Sequence, residues 1–263
     1  MSPADGPDLP QALIEAVRDA GRVVALTGSG ISAESGVPTF REAQTGLWER
    51  YDPQQLATPE AFARDPRLVW EWYEWRRKLV AEAEPNAGHR SLADLERRVP
   101  SFTLVTQNVD GLHERAGSRN VIELHGNILR SKCSLESGIV EPEEHDDSVP
   151  PRCPGCGAFL RPDVVWFGEM LPIEAFGAAS EAARGCDVFL SIGTSSLVYP
   201  AAALPYEALE GGAMLVEINP NQTPLTPHAS FTLQGRAGEV LPNLLQAVSG
   251  PPDAWPGVFI NDL

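Results

Sequence analysis

Several short runs in this chain carry residue types that do chemistry at spacings that suit it. In "TGSGISAESGVPTFR" (27–41), Gly28 and Gly30 close a turn that follows an apolar run. A strand-to-helix turn of this kind aims backbone N–H groups and a helix N-terminus at a diphosphate. The spacing departs from G-x-G-x-x-G, because Ala33 stands where a third glycine would be. Beyond a Gly–Val–Pro turn, Phe40 and Arg41 offer an aromatic lid and a phosphate clamp. "TQNVDGLH" (106–113) and "ELHG" (123–126) end two further apolar runs, so Gln107, Asn108, Asp110 and His125 fall at strand ends. A polar trio there also serves to cap the next helix, and a lone histidine is usually structural. On one shared edge, however, His125 is a candidate general base, since its pKa lies near neutrality. "GTSS" (193–196) and "EIN" (217–219) add small hydroxyls and Asn219, suited to ribose and phosphate. "CPGCG" (153–157) is a C-x-x-C pair, which without a secretory signal points to metal or redox chemistry. In "VWEWYEWRRKLV" (69–80), a helical reading puts Val69, Tyr73, Arg76 and Val80 on one face.

The elements that must position these groups alternate along the chain. Continuous apolar runs at 22–28, 102–108, 121–126, 187–195, 213–219 and 231–235 read as strands buried on both faces of a parallel sheet. Helical patterns lie near 10–20, 60–83, 88–98, 174–184, 200–210 and 237–248. The order predicts an α/β fold, a Rossmann-like doubly wound parallel sheet, with ligands at the carboxyl ends of its strands. Residues 41–87 and 130–162 break the alternation and read as an inserted small domain; residues 1–40, 88–129 and 163–263 form the sheet domain. The acidic run "EPEEHDD" within the insertion reads as a solvated loop.

Composition limits the partners. A formal charge of −16 argues against a nucleic-acid backbone, which selects basic surfaces. The first residues, "MSPADGPDLPQALIEAV", have neither a basic leader nor a long apolar run, so a cytoplasmic protein with no membrane span is expected. Cys186, at the start of a buried run, reads as an inert core thiol.

The motifs "GSGISAESGVPTFR", "TQNVDGLH", "LHG", "RPDVVWFGE", "GTSS", "EIN" and "QGRAG" come in the order of the sirtuin family, and the chain resembles it from about residue 12 to 248. The resemblance implies an NAD-dependent protein-lysine deacylase that consumes NAD as cosubstrate. Products would be nicotinamide, free lysine and O-acyl-ADP-ribose. It implies that Gly28, Ser29, Gly30, Ala33, Phe40 and Arg41 form the NAD loop, with Ser29 in place of the usual alanine. Gln107, Asn108 and Asp110 would contact nicotinamide and ribose; Gly193, Thr194, Ser195 and Asn219 the phosphates and adenosine ribose; Ala237 the adenine. His125 would be the catalytic base, with Asn108 and Asp110 ordering the reacting groups. Val165, Trp166, Phe167, Gly168 and Glu169 would pair with an acyl-lysine protein substrate bound as an extended strand. An ADP-ribosyltransferase or a non-catalytic NAD-sensing module using the same cleft is the alternative.

Two features refine the resemblance. "YEWR" (73–76) matches the Tyr-x-x-Arg of the family's class III members, the desuccinylase and demalonylase group. Tyr73 and Arg76 would then read a carboxylate on a succinyl, malonyl or glutaryl group, with deacetylation weaker. The family's zinc module uses two C-x-x-C pairs, and the upstream one here is "CSLE". Cys133, Cys153 and Cys156 would remain as ligands. Glu136 as the fourth, His145 as a substitute, and loss of the metal are three readings of the broken pair.

Overall fold

In the computed structural model, the described residues are 9–38, 52–141 and 146–249. Six parallel strands form the main sheet: β1 (Arg22–Thr27), β2 (Ser101–Thr106), β3 (Val121–Glu123), β7 (Val188–Ile192), β8 (Met214–Asn219) and β9 (Phe231–Gln234). Their order is β3-β2-β1-β7-β8-β9, the doubly wound arrangement that the sequence predicts. The order reverses between β1 and β7. Thr27 aligns with Thr106 on one side and Ile192 on the other, so three carboxyl ends meet there.

Alternation along the strands explains their apolar runs. Val23 and Ala25 face a core completed by α1 (Gln11–Asp19), α6 (Ala87–Glu96) and α10 (Ala237–Ser249). Val24 and Leu26 face the opposite core, closed by α8 (Ile173–Gly185) and α9 (Leu204–Glu210). Both faces are covered, so no strand needs a polar side. The first strand leads into the short α2 (Ser29–Ala33).

The inserted helices begin at three similar signals. Asp52, Thr58 and Asp65 each accept an N–H of the following turn, and Pro53, Pro59 and Pro66 take the first helical position. These start α3 (Pro53–Leu56), α4 (Pro59–Arg64) and α5 (Pro66–Glu82). The single helix expected near 60–83 is thus two, because Pro66 supplies no N–H and keeps Asp65 out of the helical region (φ −147°, ψ 81°).

The 130–162 segment holds more than a loop. β4 (Gly126–Cys133) pairs antiparallel with β5 (Ile139–Val140) and β6 (Leu160–Val164) in a second sheet. The expected boundaries at 129/130 and 162/163 fall inside β4 and β6. Arg77 of α5 fastens the helices to this sheet through Ile128 O (2.6 Å), Arg130 O and Ser131 Oγ (both 3.1 Å). No helix among the described residues is long and apolar enough to cross a membrane.

Candidate functional site

The β1 and β7 ends interlock where the strand order reverses. Gly28 N–H donates to Ile192 O at 3.0 Å, and Gly30 N–H to Gly193 O at 2.9 Å. A Cβ on Gly30 would stand 2.7 Å from Gly193 O, and one on Gly28 2.9 Å from it. Only hydrogens fit there, so the two turns nest and open a rim at the strand ends. Ser29 and Ala33 are exposed on α2; Phe40 and Arg41 lie outside the described residues. Ala237 is buried at the start of α10, where a Cβ added to Gly88 of α6 would meet its carbonyl carbon at 3.1 Å. Gly238 N–H donates to Glu34 Oε2 at 2.7 Å, joining α10 to the segment after α2.

A buried polar network lies beside these turns. Asn108 Nδ2 donates to Gly28 O (3.1 Å) and to Ser32 Oγ (3.0 Å). His89 Nδ1 accepts the Asn86 N–H at 3.3 Å, so its proton sits on Nε2, which faces Ser32 Oγ at 3.4 Å. Ser32 therefore accepts twice and gives its own hydrogen to Asp110. Asp110 Oδ1 also accepts the Leu112 N–H at 3.0 Å, a local turn leading into the helix Leu112–Arg115, whose N-cap is Gly111 and not Asp110. Burial raises the Asp110 pKa, while the Leu112 and Ser32 hydrogen bonds pull it down. Below them, His113 Nε2 is 2.9 Å from Thr27 Oγ1, which donates to Thr106 Oγ1 at 2.9 Å; Thr106 in turn accepts the Asn108 N–H at 3.0 Å.

His125 faces the same edge from the end of β3. Its Nδ1 is 2.8 Å from Gln107 O, and a carbonyl only accepts, so Nδ1 carries the proton and Nε2 keeps its lone pair. Burial lowers the His125 pKa, with the Gln107 carbonyl acting the other way, so the ring is neutral at pH 7. The Gln107 side chain donates to Thr194 Oγ1 (2.9 Å) and Asn219 Nδ2 to Thr194 O (2.8 Å), tying the ends of β2, β7 and β8 together. Ser195 is half-buried in the same loop.

The aromatic helix forms a separate wall. Val69, Tyr73 and Val80 are buried as the helical spacing predicts, and Arg76 on the same face is half-buried. Trp166 Nε1–H donates to Tyr73 Oη at 2.9 Å. Burial pushes the Tyr73 phenol up to about 12. It lowers Arg76, against the attraction of Tyr73 and then Asp110, and the guanidinium carbon stands 5.1 Å from the Trp72 ring centroid.

The run 165–169 follows β6 and is not itself a strand. Its N–H groups are given within the protein: Val165 to His125 O (2.9 Å), Trp166 to Glu169 Oε2 (2.8 Å), Phe167 to Ala57 O (2.9 Å) and Glu169 to Trp166 O (3.0 Å). Gly168 turns the chain at φ +88°. The Glu169 carboxylate is held by the Arg161 guanidinium through two bonds, 2.5 and 2.8 Å, which makes it a brace for this turn.

A Sir2 family model matches residues 28–200. The chain belongs to the Sir2 family. It is 56% identical over 225 residues to NAD-dependent protein deacylase 2 of Pyrobaculum aerophilum, covering 86% of this chain and 90% of that one. It is 53% identical over 244 residues to the NAD-dependent protein deacylase of Methylococcus capsulatus, covering 90% and 96%. The crystal structure of a Sir2 homologue–NAD complex superposes with a TM-score of 0.86 at 47% identity, covering 94% and 96%. A Sir2–p53 peptide–NAD+ complex superposes with a TM-score of 0.80 at 30% identity, covering 90% and 97%.

In this sirtuin the broken cysteine pair keeps the shape of the intact one. Cys133 O accepts the Ser137 N–H (3.0 Å) and Cys133 N–H donates to Gly138 O (2.8 Å); Cys153 O accepts the Gly157 N–H (2.9 Å) and Cys153 N–H donates to Ala158 O (2.7 Å). Ser137 and Gly157 share positive φ, 59° and 74°. Glu136 therefore occupies the turn position that Cys156 holds in the other knuckle. Ligand atoms of Cys133, Glu136, Cys153 and Cys156 lie within 4.8 Å of one another. The edge of a tetrahedron with metal–sulfur bonds of 2.3 Å is about 3.8 Å, and Cys133 Sγ is 3.4 Å from Cys156 Sγ. Three thiols and a carboxylate so placed fit a structural zinc, which would cross-link the two turns at the far end of the β4–β6 sheet. His145 lies outside the described residues.

Sequence reasoning missed Ser32, His89 and His113, which hold Asn108 and Asp110 from behind. "NAGH" (86–89) carried one available signal: an asparagine three residues before a histidine at a helix start, which is a capping box here.

Proposed function

We infer that the chain is an NAD-dependent protein-lysine deacylase. The observation that carries this is the convergence of His125, Asn108 and Asp110 on one sheet edge beside the nested glycine turns. Bound NAD supplies a ribose carbon made electrophilic by its positively charged nicotinamide leaving group. Gly28, Ser29, Gly30 and Ala33 would cradle the dinucleotide from one side and Gln107, Gly193, Thr194, Ser195, Asn219 and Ala237 from the other; Phe40 and Arg41, outside the described residues, are assigned to the same NAD loop from the motif alone. Asn108 and Asp110, held rigidly through Ser32, order the ribose and the carboxamide. His125 Nε2 takes a proton from a ribose hydroxyl, a role its fixed tautomer and lowered pKa support. The protein substrate lies extended along residues 165–169. Because most N–H groups of that run are already given, the peptide bonds chiefly to its carbonyls. The two-domain division, with 41–87 and 130–162 as the small domain, belongs to the same proposal.

The acyl group we assign is acidic: succinyl, malonyl or glutaryl. Arg76 supports this, three residues after Tyr73 on the same face of α5 and attracted by the charge of Asp110. A terminal carboxylate gains a charge-assisted hydrogen bond worth about 1.5–3 kcal/mol, which an acetyl methyl cannot make. That corresponds to about ten- to hundredfold discrimination. Nicotinamide release measured in parallel on acetyl-, malonyl-, succinyl- and glutaryl-lysine forms of one peptide tests both levels. Release that depends on the acyl-lysine, with free lysine and O-acyl-ADP-ribose found by mass spectrometry, is expected. Products lacking free lysine would overturn the deacylase reading, and a faster acetyl than succinyl reaction would overturn the acidic preference.

A further inference from the structure

The Trp166 side chain does something its place in the substrate-facing run does not explain. An indole N–H only donates, and at 2.9 Å from Tyr73 Oη it makes that oxygen the acceptor. The phenol's own hydrogen must then be given elsewhere. Without the indole, the hydroxyl is free to present either a lone pair or its hydrogen to a ligand. Arg76 lies three residues on, on the same face of α5, and its guanidinium also only donates. With one Tyr73 lone pair taken by the indole, the pair is biased toward presenting hydrogens.

The indole is itself held still. The Arg161 guanidinium carbon stands 3.3 Å from the ring centroid, and Phe62 packs against the ring at 5.3 Å. Arg161 is fixed by Glu169 and by Val164 O at 2.9 Å, and Glu169 holds the Trp166 backbone N–H. Trp166 and Tyr73 are 3% and 1% exposed, so water does not compete for the bond.

We propose that Trp166 is a specificity-determining positioning residue: its indole N–H fixes the Tyr73 hydroxyl as a donor, so that the acyl pocket selects a carboxylate over a neutral acyl end. This rests on the acidic-acyl reading above. It differs from that reading in assigning part of the selectivity to a residue that does not touch the acyl group.

Trp166→Phe keeps an aromatic ring and removes the donor. The assay is kcat/KM for succinyl- and acetyl-lysine peptides at saturating NAD, in wild type, Trp166→Phe, Tyr73→Phe, the double variant and Arg76→Met. Trp166→Phe should lower the succinyl-to-acetyl ratio about three- to tenfold, mainly through KM for the succinyl peptide. In the Tyr73→Phe background it should lower it no further. A ratio unchanged in Trp166→Phe, or the same loss with and without the Tyr73 hydroxyl, overturns the proposal. If Arg76→Met abolishes the preference while Trp166→Phe does not, the acidic-acyl reading stands and only the Trp166 role falls. If Arg76→Met leaves the ratio unchanged, both fall. A spectroscopic test needs no folded Trp166 variant: the C–O stretch of isotopically labelled tyrosine, assigned by its loss in Tyr73→Phe. It should shift on adding succinyl-lysine peptide and not on adding the acetyl form; equal shifts with both overturn the proposal.

Discussion

Lowering the pH from 7 to 5 should destabilise this protein through two histidines beneath the cleft. His89 and His113 are 0% and 1% exposed, with ring centroids 4.9 Å apart. Burial pushes their pKa values down to about 4 and about 3 from 6.5, aided by Arg90 for His89 and by His89 for His113. The unfolded chain thus binds protons below pH 6.5 that the folded protein refuses. Stability from these groups is full above 6.5 and is lost as pH falls, until the rings protonate in place near 4 and 3. At pH 5 each histidine lies about 1.5 units below its unfolded pKa, and one unit is 1.36 kcal/mol, so each removes about 2 kcal/mol. Together they remove about 4 kcal/mol, a large part of a typical domain's 5–15 kcal/mol. His125, also lowered, acts in the same direction, while Asp110, raised, opposes it. Those other groups make single-histidine variants the clean measurement. Urea unfolding followed by circular dichroism at pH 7 and 5 should show the loss, and it should shrink by about 2 kcal/mol in His89→Gln or His113→Gln. Variants with an unaltered difference between the two pH values would refute the assignment, whatever their stability at pH 7.

Other outcomes follow from particular contacts. Gly30→Ala drives a Cβ to 2.7 Å from Gly193 O, and should cost about 1–3 kcal/mol by thermal unfolding while raising KM for NAD. His125→Ala removes the base but not the dinucleotide cradle, so kcat should fall about 10²- to 10⁴-fold with NAD binding by calorimetry little changed. Glu169→Gln leaves the buried Arg161 guanidinium without its carboxylate; a loss of about 3–5 kcal/mol is expected, recovered in part by adding Arg161→Met. Purified protein should carry one zinc per chain by elemental analysis, and Glu136→Cys should slow its removal by a chelator, because thiolate replaces carboxylate at a preformed knuckle.

Residues whose role depends on near neighbours were legible in advance. The continuous apolar runs, the glycines at 28 and 30, and the carboxyl-edge placing of Gln107, Asn108, Asp110 and His125 all follow from local pattern. The helical face of Val69, Tyr73, Arg76 and Val80 does too. Pro66 splits the helix expected over 60–83 into two, a break that is local in origin as well. The β4–β6 sheet was missed because its strands are separated by the cysteine turns and carry no strong alternation of their own.

The sequence by itself determined the succession of main-sheet strands with their flanking helices, the donor types available at each strand end, and membership of a family, because backbone propensity and side-chain chemistry are local properties. Only the tertiary structure decided which partners those donors take. The His125 tautomer depends on a carbonyl 18 residues away, the Tyr73 hydroxyl on an indole 93 residues away, and the standing of Glu136 on a second turn that repeats its geometry. Hydrogen bonds act over about 3 Å, so their polarity is settled only when folding brings distant residues to that range.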